Sequence, residues 1–164
     1  MKAIVTAIAL VFMTNALATA AGSPSVKPTV SKDVKAYNKG VELMMDKKFD
    51  RAEKQFRRAL KANERFAEAH NNLAYTLRKQ GPDHYDEALR HYNRAIELKP
   101  ELNEPFMYRG VLHVQMGNAS QALADHDTLL DRGSPLAAEL KYVVENGREK
   151  EPEQFFGVTR KVNL

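Results

Sequence analysis

The stretch AEKQFRRALKANERF, Ala52 to Phe66, returns as ALRHYNRAIELKPEL, Ala88 to Leu102, and in weaker form as ALADHDTLLDRGSPL, Ala122 to Leu136. In each copy three positions recur at i, i+4 and i+7: Ala52, Phe56 and Ala59; Ala88, Tyr92 and Ala95; Ala122, His126 and Leu129. That spacing places each set on one face of a helix. Small residues at the outer places let a neighbouring helix approach, and the large residue between them fills the gap. A second helical pattern precedes each copy: Ala36, Gly40 and Leu43, then His70, Leu73, Ala74 and Leu77, then Phe106, Gly110 and Leu112. The joints DKKFD near Asp46, QGPDHYD near Gly81 and Pro82, and MGNAS near Gly117 carry the residues that stop one helix and start another. Two antiparallel helices per unit are therefore predicted, in an all-α chain of helical hairpins.

These residues resemble the tetratricopeptide repeat (TPR), a 34-residue helix–turn–helix unit with a recurring pattern of aromatic, Leu-Gly, Tyr, Ala-x-x-x-Phe, Ala and Pro. The first unit, 33–66, carries Ala36, Gly40, Leu43, Ala52, Phe56 and Ala59 but has Glu64 where Pro is usual. The second, 67–102, carries Leu73-Ala74, Leu77, Ala88, Tyr92, Ala95 and Pro100, with two extra residues in the Gly81–Tyr85 turn. The third, 103–136, keeps Phe106, Gly110, Ala122 and Leu129 but places Arg109, His113 and His126 where apolar residues are usual. The resemblance implies an α-solenoid coiled into a right-handed superhelix. One such hairpin leaves half its apolar stripe wet, so units depend on their neighbours and the ends need sealing. SPLAAELKYVVENG suits that task, with Ser134 as N-cap, Pro135 at the first position and Gly147 as the stop of a capping helix over 135–146.

Ahead of the repeats, Lys2 is followed by an apolar run from Ala3 to Met13, broken only by Thr6, and then by small residues. This is the layout of a signal peptide over 1–20, cut after Ala20. The run spans roughly 17 Å at 1.5 Å per residue, against a hydrocarbon core of about 30 Å, which argues against a spanning anchor. Loss of Lys2 would change the formal charge from +4 to +4 − 1 = +3. Residues 21–32, rich in Ser, Pro, Thr and Gly, read as a flexible lead-in to a repeat domain over 33–147, with a tail over 148–164. A periplasmic or secreted protein is expected, with no membrane contact once the signal is removed.

Chemistry is sparse. The chain has no Cys, which excludes disulfides, thiolate metal sites and a Cys nucleophile. It has no Gly-rich phosphate loop, His-Glu-x-x-His helix or Gly-flanked Ser. His113 and His126, brought close by the family geometry, read as a hydrogen-bonded or partly exposed pair near the end of the stack rather than a metal site, and no cofactor, metal or enzymatic activity is expected. Its 25 basic and 21 acidic residues are interspersed rather than striped, which argues against nucleic-acid binding. The resemblance instead implies a concave groove for a peptide or protein partner. Its lining places correspond to Tyr37, Val41, Met44 and Met45 in the first unit, Asn71, Asn72, Tyr75 and Arg78 in the second, and Met107, Val111, Val114 and Gln115 in the third. Family members that grip a terminal carboxylate use Lys and Arg at places held here by Tyr37, Val41, Glu104 and Tyr108; only Asn72 agrees, so no affinity for chaperone-type acidic tails is expected. The function expected is an exported, non-catalytic adaptor, serving in envelope assembly. The alternative is a structural scaffold that self-associates through its stack ends or its tail, where Phe155 and Phe156 are adjacent.

Overall fold

The computed structural model describes residues 30–150. The expected signal peptide, all but the end of the lead-in, and Phe155 and Phe156 lie outside the described residues. Within them the helices are α1 (Lys32–Met45), α2 (Phe49–Ala62), α3 (Ala67–Gln80), α4 (Tyr85–Leu98), α5 (Glu104–Gln115), α6 (Ala119–Asp131) and α7 (Leu136–Asn146). One 3-10 turn, Pro82–His84, precedes α4, and no strand occurs among the described residues.

The joints follow from local chemistry. After α1 the Lys48 N–H donates to Leu43 O at 2.8 Å, across Lys47 at φ 57°. After α5 the Asn118 N–H donates to His113 O at 2.8 Å, across Gly117 at φ 76°. Both are six-to-one closures through a left-handed residue, which satisfy helix-end carbonyls and reverse the chain tightly. The middle hairpin turns differently: Gly81 adopts φ 119°, and the two extra residues form the 3-10 turn.

Packing is sequential. Helices α1 and α2, α3 and α4, and α5 and α6 pair as hairpins, while α2 meets α3 and α4 meets α5. The odd-numbered helices also touch in turn, α1 with α3 and α3 with α5, so they share one side of the stack. The recurring positions form the spine: Ala52, Phe56, Ala59, Ala88, Tyr92, Ala95, Ala122 and Leu129 are all fully buried. At Gly40 an added Cβ would lie 2.6 Å from the Phe56 ring, so the first hairpin closes only because that position lacks a side chain.

The capping helix forms one residue later than expected, over Leu136–Asn146, with Pro135 at the N-cap rather than at the first helical position. The Leu136 N–H donates to Ser134 Oγ at 3.3 Å, and Gly147, at φ 70°, ends the helix. Helix α7 packs against both α5 and α6, and its Leu140 lies over Gly110. The fold is an all-α solenoid of helical hairpins.

In the third unit the polar departures are reconciled by an ion pair. Arg109 on α5 forks onto Asp125 on α6 at 3.0 and 2.5 Å and donates a further bond to Asn93 Oδ1 on α4 at 2.7 Å. One guanidinium thus joins two successive hairpins. His113 is buried beside this pair, and burial pulls its pKa down. His126 is instead bonded to the adjacent Asp127, at 3.1 Å.

Candidate partner-binding groove

Helix α3 is the central element of the stack, packed against α1, α2, α4 and α5, and its residues Asn71 to Arg78 are all buried. Its polar side chains must therefore find partners inside the protein. Asn72 Nδ2 donates to Tyr37 Oη on α1 at 3.1 Å, and Asn71 Nδ2 donates to Asn72 Oδ1 at 3.1 Å. Thr76 Oγ1 donates back to Asn72 O at 2.7 Å. Tyr37 also stacks on Phe66, with centroids 4.7 Å apart, and burial pushes its hydroxyl pKa well above the usual tyrosine value. The Asn72–Tyr37 bond joins α3 to α1, while the Asn71 and Thr76 bonds stay within α3.

Three residues beyond Tyr75, the same helix carries a charge. The Arg78 side chain has no solvent exposure, and its guanidinium lies 5.2 Å from the Tyr75 centroid and 5.8 Å from that of Tyr108 on α5. Those two rings meet edge to face at 5.1 Å. A buried cation needs a counter-charge and hydrogen bonds. Arg78 obtains both from Glu149, donating through Nη1 and Nη2 to its two carboxylate oxygens at 3.0 and 3.1 Å. Gln115 Oε1 accepts a further bond at 3.3 Å. Burial alone would lower the Arg78 pKa, but Tyr92 and Glu149 beside it raise it. The buried Tyr92 hydroxyl is pushed up by burial, against the opposing pull of Arg78.

Glu149 comes from the short segment beyond α7. Past the left-handed Gly147 the chain doubles back, so that Lys150 pairs with Glu139 near the start of α7, at 2.9 Å, while Glu149 reaches across to α3. This segment therefore lies against the side shared by α3, α5 and α7. Lys79 Nζ stands 3.9 Å from the same carboxylate. Lys79 also borders a cavity of about 630 Å³ whose walls include Lys47, Lys48, Arg51 and Asp50.

Of the expected lining, Asn71, Asn72, Tyr75, Arg78, Met107 and Val111 are buried, as are Tyr37, Val41 and Met44 on α1. Val114 is half-buried, and Gln115 and Met45 are exposed. The structure brings Tyr75, Arg78 and Gln115 together around one carboxylate, and adds Tyr92, Tyr108 and Glu149 to them. Tyr92 follows from the repeat pattern, but Glu149 leaves no trace in the repeat spacing.

Residues 37–103 match the family described as tetratricopeptide repeat. Those residues are tetratricopeptide-repeat sequence. No curated protein matches the chain. Among solved structures, the first TPR of Spaghetti (RPAP3), bound to the HSP90 peptide SRMEEVD, is similar with a TM-score of 0.63 at 16% identity, over 71% of this chain and 92% of that one. The TPR2B domain of yeast Sti1, in a complex with pHsp70, gives 0.63 at 22% identity over 71% and 98%. PcrH, in complex with the chaperone binding region of PopD, gives 0.62 at 20% identity over 71% and 92%. These likenesses establish a shared TPR fold. Among the described residues, no group of three or more His, Asp or Glu side chains is placed to hold a metal ion. No described helix is long and apolar enough to cross a membrane.

Proposed function

We propose that this repeat protein is an exported, non-catalytic adaptor that holds a peptide or protein partner along the side shared by α1, α3, α5 and α7, in the service of envelope assembly. The observation that carries the reading is the buried Arg78 guanidinium, walled by the Tyr75 and Tyr108 rings and bonded to Gln115 Oε1, which holds the Glu149 carboxylate. It binds an acidic side chain delivered by a non-helical stretch of chain, which is the form in which a peptide would arrive. The similar domains solved with an HSP90 peptide and with a region of PopD support a binding role for such a surface. Export rests on the N-terminal run Ala3–Met13 and the small residues before Ala21.

Affinity capture from an envelope extract tests the adaptor reading, with the full chain compared against a Gln115→Ala, Lys79→Ala double variant. Both positions reach solvent, so the stack survives the change. A partner captured by the wild type and lost by the variant supports the reading; equal capture by both removes it.

A second reading, a scaffold that self-associates at the stack end, is favoured by one observation. Leu123 and Leu130 on α6 are 47% and 59% exposed and, with Val144 on α7, line a cavity of about 410 Å³. Mass measured in solution over a concentration series separates the two, because a monomer at high concentration excludes the scaffold.

A further inference from the structure

We propose that the segment beginning at Gly147 is a built-in competitor for the groove, with Glu149 occupying the Arg78 site until the carboxylate of a partner replaces it. The inference rests on the adaptor reading above and names how that site is regulated.

Three features of the geometry carry it. First, the Arg78–Glu149 contact is not a local one. It joins residues 71 apart in sequence, and its bidentate bonds at 3.0 and 3.1 Å are the form of a specific carboxylate site. Second, the segment is held by side chains at its end. Among the described residues, its ion pairs beyond α7 are Glu149 with Arg78 and Lys79, and Lys150 with Glu139. Lys150 also lies 5.2 Å from the Tyr142 ring centroid, but both of its contacts are at exposed sites and contribute little, so release depends chiefly on Glu149. Third, the chain turns into the groove through a left-handed glycine, which supplies a pivot beside the helix end.

The chemistry of the displacing partner follows from what Glu149 leaves behind. An uncovered Arg78 would be a buried cation walled by two tyrosine rings, with Gln115 Oε1 on one side and Lys79 on the other. Beyond Lys79, the cavity bearing Lys47, Lys48 and Arg51 adds positive charge. The ligand is therefore an acidic, non-helical internal segment, distinct from the chain-terminal tails that the family's clamp places argue against, which puts one Glu or Asp side chain on Arg78 and further acidic residues toward Lys79. The chain's own sequence from Arg148 onward, REKEPE, carries three glutamates against Arg148 and Lys150. A tethered copy acts at an effective concentration in the millimolar range for a short linker, so a free copy should compete poorly until the tether is disarmed.

The test uses the full chain and a fluorescein-labelled peptide of sequence REKEPE, with binding read by anisotropy at fixed ionic strength. The probe should bind Glu149→Ala about tenfold or more tightly than it binds wild type. Combining Arg78→Lys with Glu149→Ala keeps the positive charge but removes the fork, and should weaken the probe about tenfold. Far-UV circular dichroism confirms that both variants retain their helices. A lysine-specific protease reports the segment directly: cleavage after Lys150 should be about tenfold faster in Glu149→Ala than in wild type. Equal probe affinity for wild type and Glu149→Ala overturns the competitor while leaving a peptide-binding groove in place. If cleavage accelerates in Glu149→Ala but the probe binds neither protein, the groove is not a peptide site, and both the competitor and the adaptor reading fall.

Discussion

Gly110 on α5 lies directly under Leu140 of the capping helix, so closely that a Cβ on Gly110 would sit 2.5 Å from a Leu140 methyl. In the first hairpin the equivalent contact is between Gly40 and the Phe56 ring of its own second helix. The third unit puts the half-buried His126 where Phe56 stands, and the large apolar group is supplied instead by α7. The capping helix thus completes a core that the last repeat leaves short. Leu140→Ala should destabilise the protein by about 2–4 kcal/mol, as for other buried leucines. Urea unfolding checks this; a loss below about 1 kcal/mol would show that the third unit stands without its cap.

The Arg109–Asp125 pair should behave as a buried ion pair. Asp125 is almost fully buried and Arg109 about a fifth exposed, so removing the acid strands a partly desolvated cation. Asp125→Ala should cost about 2–4 kcal/mol, while the combined Arg109→Leu, Asp125→Leu variant should recover most of that loss. A double-mutant cycle measured by chemical denaturation gives the coupling directly. If the single and double variants are equally unstable, packing rather than charge explains the site.

His70 and His91 provide a test through pH. Their Nδ1 atoms are 2.8 Å apart, and His70 Nε2 lies 3.0 Å from Glu64 O. A carbonyl only accepts, so His70 carries its proton on Nε2 and its Nδ1 accepts from His91. Burial lowers both pKa values, that of His91 to about 4, with repulsion from His70 adding to the effect. Because the folded pKa values lie below the unfolded 6.5, the contribution to stability is complete above about pH 6.5 and is lost as pH falls toward 4. The urea midpoint should therefore drop between about pH 7 and about pH 5, and His91→Leu should flatten the profile. His113, also lowered by burial, leaves a residual slope. A profile unchanged by His91→Leu would refute the pairing.

Repeat spacing made the architecture legible because the first two hairpins solve one packing problem with the same small, large, small set, and the third keeps its outer places, Ala122 and Leu129, buried. Ala52, Phe56 and Ala59 report one face wherever the chain is read, and that face is buried. What spacing could not reveal is who meets whom across units. His70 belongs to the first-helix pattern of its unit but meets His91, which sits on the second helix at a place the pattern leaves unspecified, and Arg109 reaches both Asn93 and Asp125 only because three helices converge there. The expected groove lining is subject to the same limit. Its lining places come from the family pattern, yet Tyr37 and Asn72 spend their polar atoms on each other. The buried cation of that lining, Arg78, is met by a residue that follows the last helix and obeys no repeat.

Two glycines separate backbone strain from crowding under one substitution. Gly81 adopts φ 119° with no atom within 4 Å of the place a Cβ would take, so Gly81→Ala meets no neighbour and is opposed only by its backbone angles. That conformation costs a non-glycine residue about 1–3 kcal/mol, and the reduced freedom of the unfolded chain returns about 0.4–1 kcal/mol. Gly40 has helical geometry, so Gly40→Ala gains up to about 1 kcal/mol in helix propensity but drives a methyl into the fully buried Phe56 ring. Overpacking of about 1–3 kcal/mol should outweigh that gain. Replacing Phe56 with Leu in the Gly40→Ala background removes the ring atoms that clash and should restore part of the loss, whereas no side-chain change near Gly81 can help Gly81→Ala. Thermal or urea unfolding of the three variants distinguishes the mechanisms, and a Gly40→Ala protein as stable as wild type would show that the first hairpin has room that the 2.6 Å approach denies.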